Sequence, residues 1–243
     1  MFGAKDIPKF GQDGADVRTE LAEFRKQHPM FDLLVNYDGQ EHSNVRSLLN
    51  RLFTPTRIKS NEEYMARLAD EMVAEAVNAG KAEIVKGMAA PYVTLVIADL
   101  LGVPADDREK FREVIDKGPP AGNMTEDDER SADATLIYLG GFFMRYITER
   151  KAQDMGDVMS ELAHASFPDG TTPDILEVVK ASMFLFAAGQ DTSAKLVANS
   201  VRYLAENPDM QEHLRDNPAD LVPFMEEMLR LEGSTKATSR LAL

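Results

Sequence analysis

Three groups of residues in this sequence have the type and spacing to do chemistry. His42 and Arg46 stand four apart, on one face of a helix, with Arg51 and Arg57 following. That face could grip an anion; taken alone, it reads sooner as a solvated basic surface. The second group is Gly189-Gln190-Asp191-Thr192-Ser193, polar residues directly after the apolar run 181–188, where burial should be deepest. Glycine inside a helix costs about 1 kcal/mol relative to alanine, and a buried carboxylate costs more unless it is paired. Such local violations tend to lie at functional or strained sites. The alternative is that Asp191 and Thr192 lie on a solvent-facing stripe while Gly189 permits close helix packing. The third group is Glu227 with Arg230, an i, i+3 ion pair that contributes little on a surface and acts as a lock when buried.

Other chemistries are excluded. The chain has no cysteine, which removes disulfides, zinc-thiolate sites and a cysteine nucleophile. His28, His42, His164 and His213 show no HExxH or paired spacing, so a dedicated metal site is not expected. No glycine-rich phosphate loop is present.

The elements that must position these groups are helices. Thr172 suits an N-cap and Pro173 the first helical position, with Asp174 and Glu177 favoured by the helix dipole. No proline follows until Pro208, so about 33 residues can run continuously, roughly 50 Å at about 1.5 Å per residue. The all-round apolar middle marks a core helix and is too short to span a bilayer. Around it the pattern predicts helices over 17–27, from the Asp38-Gly39 turn to a break at Pro55, and over 61–80, 88–101 and 106–117. Further helices are predicted over 126–150, 155–165, 208–215 and 221–231. The proline and glycine stretch 118–122 is the clearest loop, and a strand is suggested only over 236–243. The expectation is a mostly α single domain.

Length and composition agree. The 243 residues suffice for a sizeable core, and no signal peptide or membrane span is evident. The formal net charge of −14 argues against a nucleic-acid partner, because tracking phosphates needs clustered Lys and Arg. A cytoplasmic protein with no membrane association is expected.

The order of these groups is more specific than any one of them. His42-xxx-Arg46, Phe53-Thr54-Pro55, Leu100-Leu101-Gly102-Val103-Pro104, Ala188-Gly189-Gln190-Asp191-Thr192 and Glu227-Met228-Leu229-Arg230 follow one another across residues 30–243. Together they resemble a bacterial soluble cytochrome P450, a haem-thiolate monooxygenase. The resemblance implies a mainly α fold, a single partial P450 domain over 1–243 without the N-terminal sheet region or the C-terminal cysteine loop. It implies that His42 and Arg46 hold haem propionates by charge-assisted hydrogen bonds, with Arg240 as a further propionate-binding arginine. Ala188 and Gly189 would be the small residues over the distal haem face. Asp191 and Thr192 would be the catalytic acid and alcohol that manage protons for splitting the O–O bond, directed by a helix distortion beside Gly189. Phe184, Ala187 and Ala188 would face substrate, and Glu227 with Arg230 would be a structural pair behind the haem. The implied partners are a small apolar organic substrate, O2 and a ferredoxin-type electron donor.

The sequence departs from the family in having no cysteine, so the thiolate that favours O–O cleavage is not supplied. The expectation is a fragment truncated at both ends and inactive alone as a monooxygenase. Two alternatives stand beside it: a non-catalytic helical module binding a small molecule in an apolar pocket near Phe184 and Ala187, and haem captured through histidine or methionine.

Overall fold

Helix ends follow the sequence closely, and the differences have local causes. The computed structural model describes residues 16–27, 33–116 and 126–235. All regular structure among these is helical. They divide into two compact units, one holding residues up to 60 and 98–186, the other 61–97 and 187 onward. Arg240 and the suggested strand over 236–243 lie outside the described residues.

α1 spans Val17–Gln27, as predicted. α2 spans Gly39–Asn50, its start marked by Asp38, whose carboxylate accepts from the Gly39 N–H at 3.0 Å. It turns Val45, Leu48 and Leu49 inward and leaves Arg46 outside. The expected break at Pro55 is instead a beginning: α3 runs Pro55–Ala79. Proline has a helix-ready φ and no N–H to leave unpaired at a first position, and the Thr54 carbonyl accepts from the Arg57 and Ile58 N–H groups. The segment expected as one helix over 88–101 enters through a π turn at Val85–Ala89 and continues as α4, Ala90–Leu100. Pro91 sits in its first turn, where its missing donor costs nothing. Gly102, at φ +75°, turns the chain into α5, Ala105–Asp116.

α6 spans Glu126–Ala152 and α7 only Val158–Ala163, shorter than the predicted 155–165. The Asp157 carboxylate accepts from the Ser160 N–H at 2.8 Å and sets the start of α7. α8 spans Ile175–Glu206, beginning after Thr172 and Pro173 rather than with them. Its cap is Asp174, which accepts from the Leu176 N–H at 2.9 Å while Glu177 reaches back to the Asp174 N–H at 2.7 Å. This is a reciprocal capping box. α9 (Pro208–Asp216) and α10 (Leu221–Leu231) follow as predicted.

In the first unit Phe111, Phe143 and Phe186 are fully buried and meet edge to face, with centroids 5.3 to 6.2 Å apart. Each buried ring contributes about 1.5–3 kcal/mol by leaving water. In the second unit α10 buries Phe224 and Met228, and the Phe224 ring lies 6.0 Å from that of Tyr203 on α8.

Candidate functional site

The basic residues of α2, its C-cap and the start of α3 separate into two kinds. Arg51 donates to the Ser166 carbonyl at 2.9 Å, and Arg57 pairs with Glu161. His42, half-buried, and Arg46, exposed, have no side-chain hydrogen bond or ion pair among the described residues. These two, in the first unit, therefore present donors to whatever anion approaches that face.

α8 changes character along its length. Val178, Val179, Ala181, Ser182, Met183 and Phe186 are buried, and the Ser182 hydroxyl is satisfied by the Val178 carbonyl at 2.9 Å. Phe184 is half-buried in the first unit, whereas Phe186 joins the aromatic cluster. Burial then lapses until Ala194: Ala187 and Ala188 are exposed, and Gly189, Asp191 and Thr192 are half-exposed. The polar cluster thus lies off the most buried part of the helix, which favours the solvent-facing alternative over deep burial. Its carboxylate is paired, since Asp191 accepts from Lys195 at 2.6 Å one turn on, with both side chains nearly half-exposed.

The Thr192 hydroxyl donates to the Ala188 carbonyl at 3.0 Å, and the Thr192 carbonyl accepts from Ser234 at 2.7 Å. The helix itself is α-helical throughout this stretch. A hydroxyl that also bonds the carbonyl four residues back shares an acceptor that the backbone N–H uses, which loosens the ladder locally without breaking it.

Glu227 and Arg230 form a two-pronged pair at 2.8 and 2.6 Å. Both are more than half-exposed among the described residues, so the pair is a surface feature of α10 here. The Arg230 hydrogen bond holds the Glu227 carboxyl below its ordinary range. Glu227 also rims an apolar hollow of about 280 Å³ lined by Tyr203, Met210, Leu214, Phe224, Met228 and Leu231.

A polar centre that the sequence did not disclose lies between α5 and α6. The Asp107 carboxylate accepts from the buried Tyr146 hydroxyl at 2.6 Å, from Arg145 at 2.7 Å and from Lys110 at 2.7 Å. Lys110 and Tyr146 lower the Asp107 pKa despite burial, and burial together with Asp107 raises that of the Tyr146 phenol. Only the Asp107 and Lys110 spacing was visible in the sequence; Tyr146 is 39 residues away. Among the described residues no group of three or more His, Asp or Glu could hold a metal.

A helical fold whose long helix opens on two alanines and a glycine, beside an alcohol and an acid, defines a class that comparison with known proteins identifies. No protein-family model matches the chain. It is similar to the cytochrome P450 monooxygenase PikC of Streptomyces venezuelae, 30% identical over 236 residues that cover 96% of this chain and 55% of that protein. Among solved structures it is similar to substrate-free cytochrome P450 CYP150A6 of Mycobacterium marinum, with TM-score 0.81 and 42% identity, covering 94% of this chain and 52% of that one. It is also similar to CYP109E1 of Bacillus megaterium in complex with corticosterone, with TM-score 0.73 and 29% identity, covering 82% and 54%. The relatives and solved structures it matches are cytochromes P450, and the chain carries part of their fold. It spans about half the length of the curated relatives it matches.

The cofactor of that family is haem, and the residues present fit part of its needs. In the first unit His42 and Arg46 offer hydrogen-bond donors without competing partners among the described residues; in the second unit Ala187 and Ala188 leave an open surface of small side chains. An axial thiolate is not among the 243 residues.

Proposed function

We propose that this chain supplies the haem-gripping and oxygen-handling helices of a monooxygenase that hydroxylates a small apolar substrate with electrons from a ferredoxin-type donor. The observation that carries the reading is the turn of α8 from Ala187 to Thr192, where small exposed residues sit beside a fixed hydroxyl and a paired carboxylate. Haem, when bound, supplies the iron at which oxygen is activated. His42 and Arg46 would hold its propionates, and Arg240, outside the described residues, would be a further propionate contact. Ala188 and Gly189 would leave room beside it, and Phe184, Ala187 and Ala188 would line the approach of the substrate. The Thr192 hydroxyl holds a proton on Oγ1 beside that space, and Asp191, in contact with solvent and Lys195, exchanges protons with bulk water. Glu227 and Arg230 are a structural pair on α10 with no part in the chemistry. The corticosterone bound by one similar protein supports an apolar substrate. No helix among the described residues is long and apolar enough to cross a membrane.

The test is a chimera in which this chain replaces the matched 236 residues of the Streptomyces venezuelae relative, which adds the remainder of a P450. A thiolate-type reduced-CO spectrum is expected. Arg46→Ala should loosen haem about 10-fold or more, since a hydrogen bond to a charged group is worth roughly 1.5–3 kcal/mol. Thr192→Ala should divert consumed oxygen to peroxide; unchanged coupling in a haem-loaded chimera sinks the proton-handling role.

A further inference from the structure

One contact of α8 is not used by the site just described. A β-carbon built on Gly189 would lie 2.8 Å from Cδ1 of Ile97 and 3.6 Å from its Cγ1. Beyond its two chain neighbours, no other side chain among the described residues comes within 4 Å of that point. Real β-carbons do not approach a heavy atom to 2.8 Å, so a side chain enters at 189 only if Ile97 moves. Ile97 is 8% exposed, and Val93, Thr94 and Ala98 beside it on α4 are buried, which leaves little room to turn aside. Gly189 itself stands between Ala188, whose carbonyl takes the Thr192 hydroxyl, and Thr192.

We propose that Ile97 is a positioning residue for this turn. Its terminal methyl occupies the place of a side chain at 189, sets how closely α8 approaches α4, and so holds the Ala188 carbonyl and the Thr192 hydroxyl where they are. Glycine at 189 is then needed for the partner helix, in addition to any room it leaves over haem. The importance of the turn rests on the function proposed above; the contact does not.

Ile97→Val removes the one atom that a side chain at 189 would strike and leaves the nearest carbon at an ordinary 3.6 Å. The experiment uses the full chain as wild type, Ile97→Val, Gly189→Ala and the double variant, with thermal melting and the methyl NMR resonance of Thr192 as readouts. In the wild-type background Gly189→Ala should lower Tm and displace the Thr192 methyl signal. In the Ile97→Val background the same substitution should raise Tm by about 2–4 °C, because alanine's better helix propensity is then unopposed. The Thr192 signal should return toward its wild-type position. A Tm change of the same sign in both backgrounds overturns the contact, and a sign reversal with an unmoved Thr192 signal overturns the positioning role. Neither readout requires haem. If the reversal and the rescue appear while Thr192→Ala leaves the chimera coupled, the functional reading fails and the Ile97 contact stands.

Discussion

Asp107 shows how much a single carboxylate can organise. Its three donors come from α5 and α6, and the Arg145 guanidinium also lies over the Phe142 and Tyr146 rings at 5.2 and 4.9 Å. Tyr146→Phe removes only the hydroxyl of a side chain that is 1% exposed. It should lower unfolding stability by about 1–2 kcal/mol, measured by urea titration, and an unchanged midpoint would show that the carboxylate is satisfied without it. The same group predicts a pH dependence. The folded pKa of Asp107 lies below its ordinary 3.8, through hydrogen bonds from Lys110 and Tyr146. Asp157 is also lowered: burial pushes it up, but Arg150 and the Ser160 N–H outweigh burial. The unfolded chain therefore binds more protons in acid. This stabilisation is complete above the unfolded value near ~4 and is lost as pH falls through the lower folded values. Urea midpoints should fall between pH 6 and pH 3, and Asp107→Asn should flatten that fall.

At the scale of elements, α8 separates what a motif marks from what a cap does. Thr172 and Pro173 have the right types for a helix start, but Asp174 with Glu177 makes the reciprocal bonds. Asp174→Ala should cost about 1 kcal/mol in a chemical melt and Thr172→Ala close to nothing; equal effects would return the cap to Thr172. Two adjacent signals, each plausible in isolation, compete for one helix end, and geometry selects the one whose carboxylate reaches the N2 donor. Pro55 shows the same ambiguity at α3, since proline both ends and begins helices. Most other helices were legible because apolar periodicity sets which face is buried whatever the partner. The shortness of α7 was not, because Met155 enters the pattern as an apolar residue but is 57% exposed.

At the scale of the whole molecule, the sequence makes one spectral prediction. With no cysteine among 243 residues, the chain alone should give no thiolate-type Soret band on reduction under CO, even when expressed with ample haem precursor. Such a band would require a thiolate from outside this sequence. Family, helical class and the order of the candidate residues were legible in the sequence because they depend on residue type and spacing along one chain. The pairing of Glu227 with Arg230 was too, because an i, i+3 relation is local. Burial was not: that Asp191 meets Lys195 at a half-exposed surface, or that Phe186 rather than Phe184 enters the aromatic cluster, depends on which face the neighbouring helices cover. The Asp107 centre and the fit of Ile97 against Gly189 join residues 38 or more positions apart. Spacing along a helix specifies a face; only the packed fold determines what that face meets.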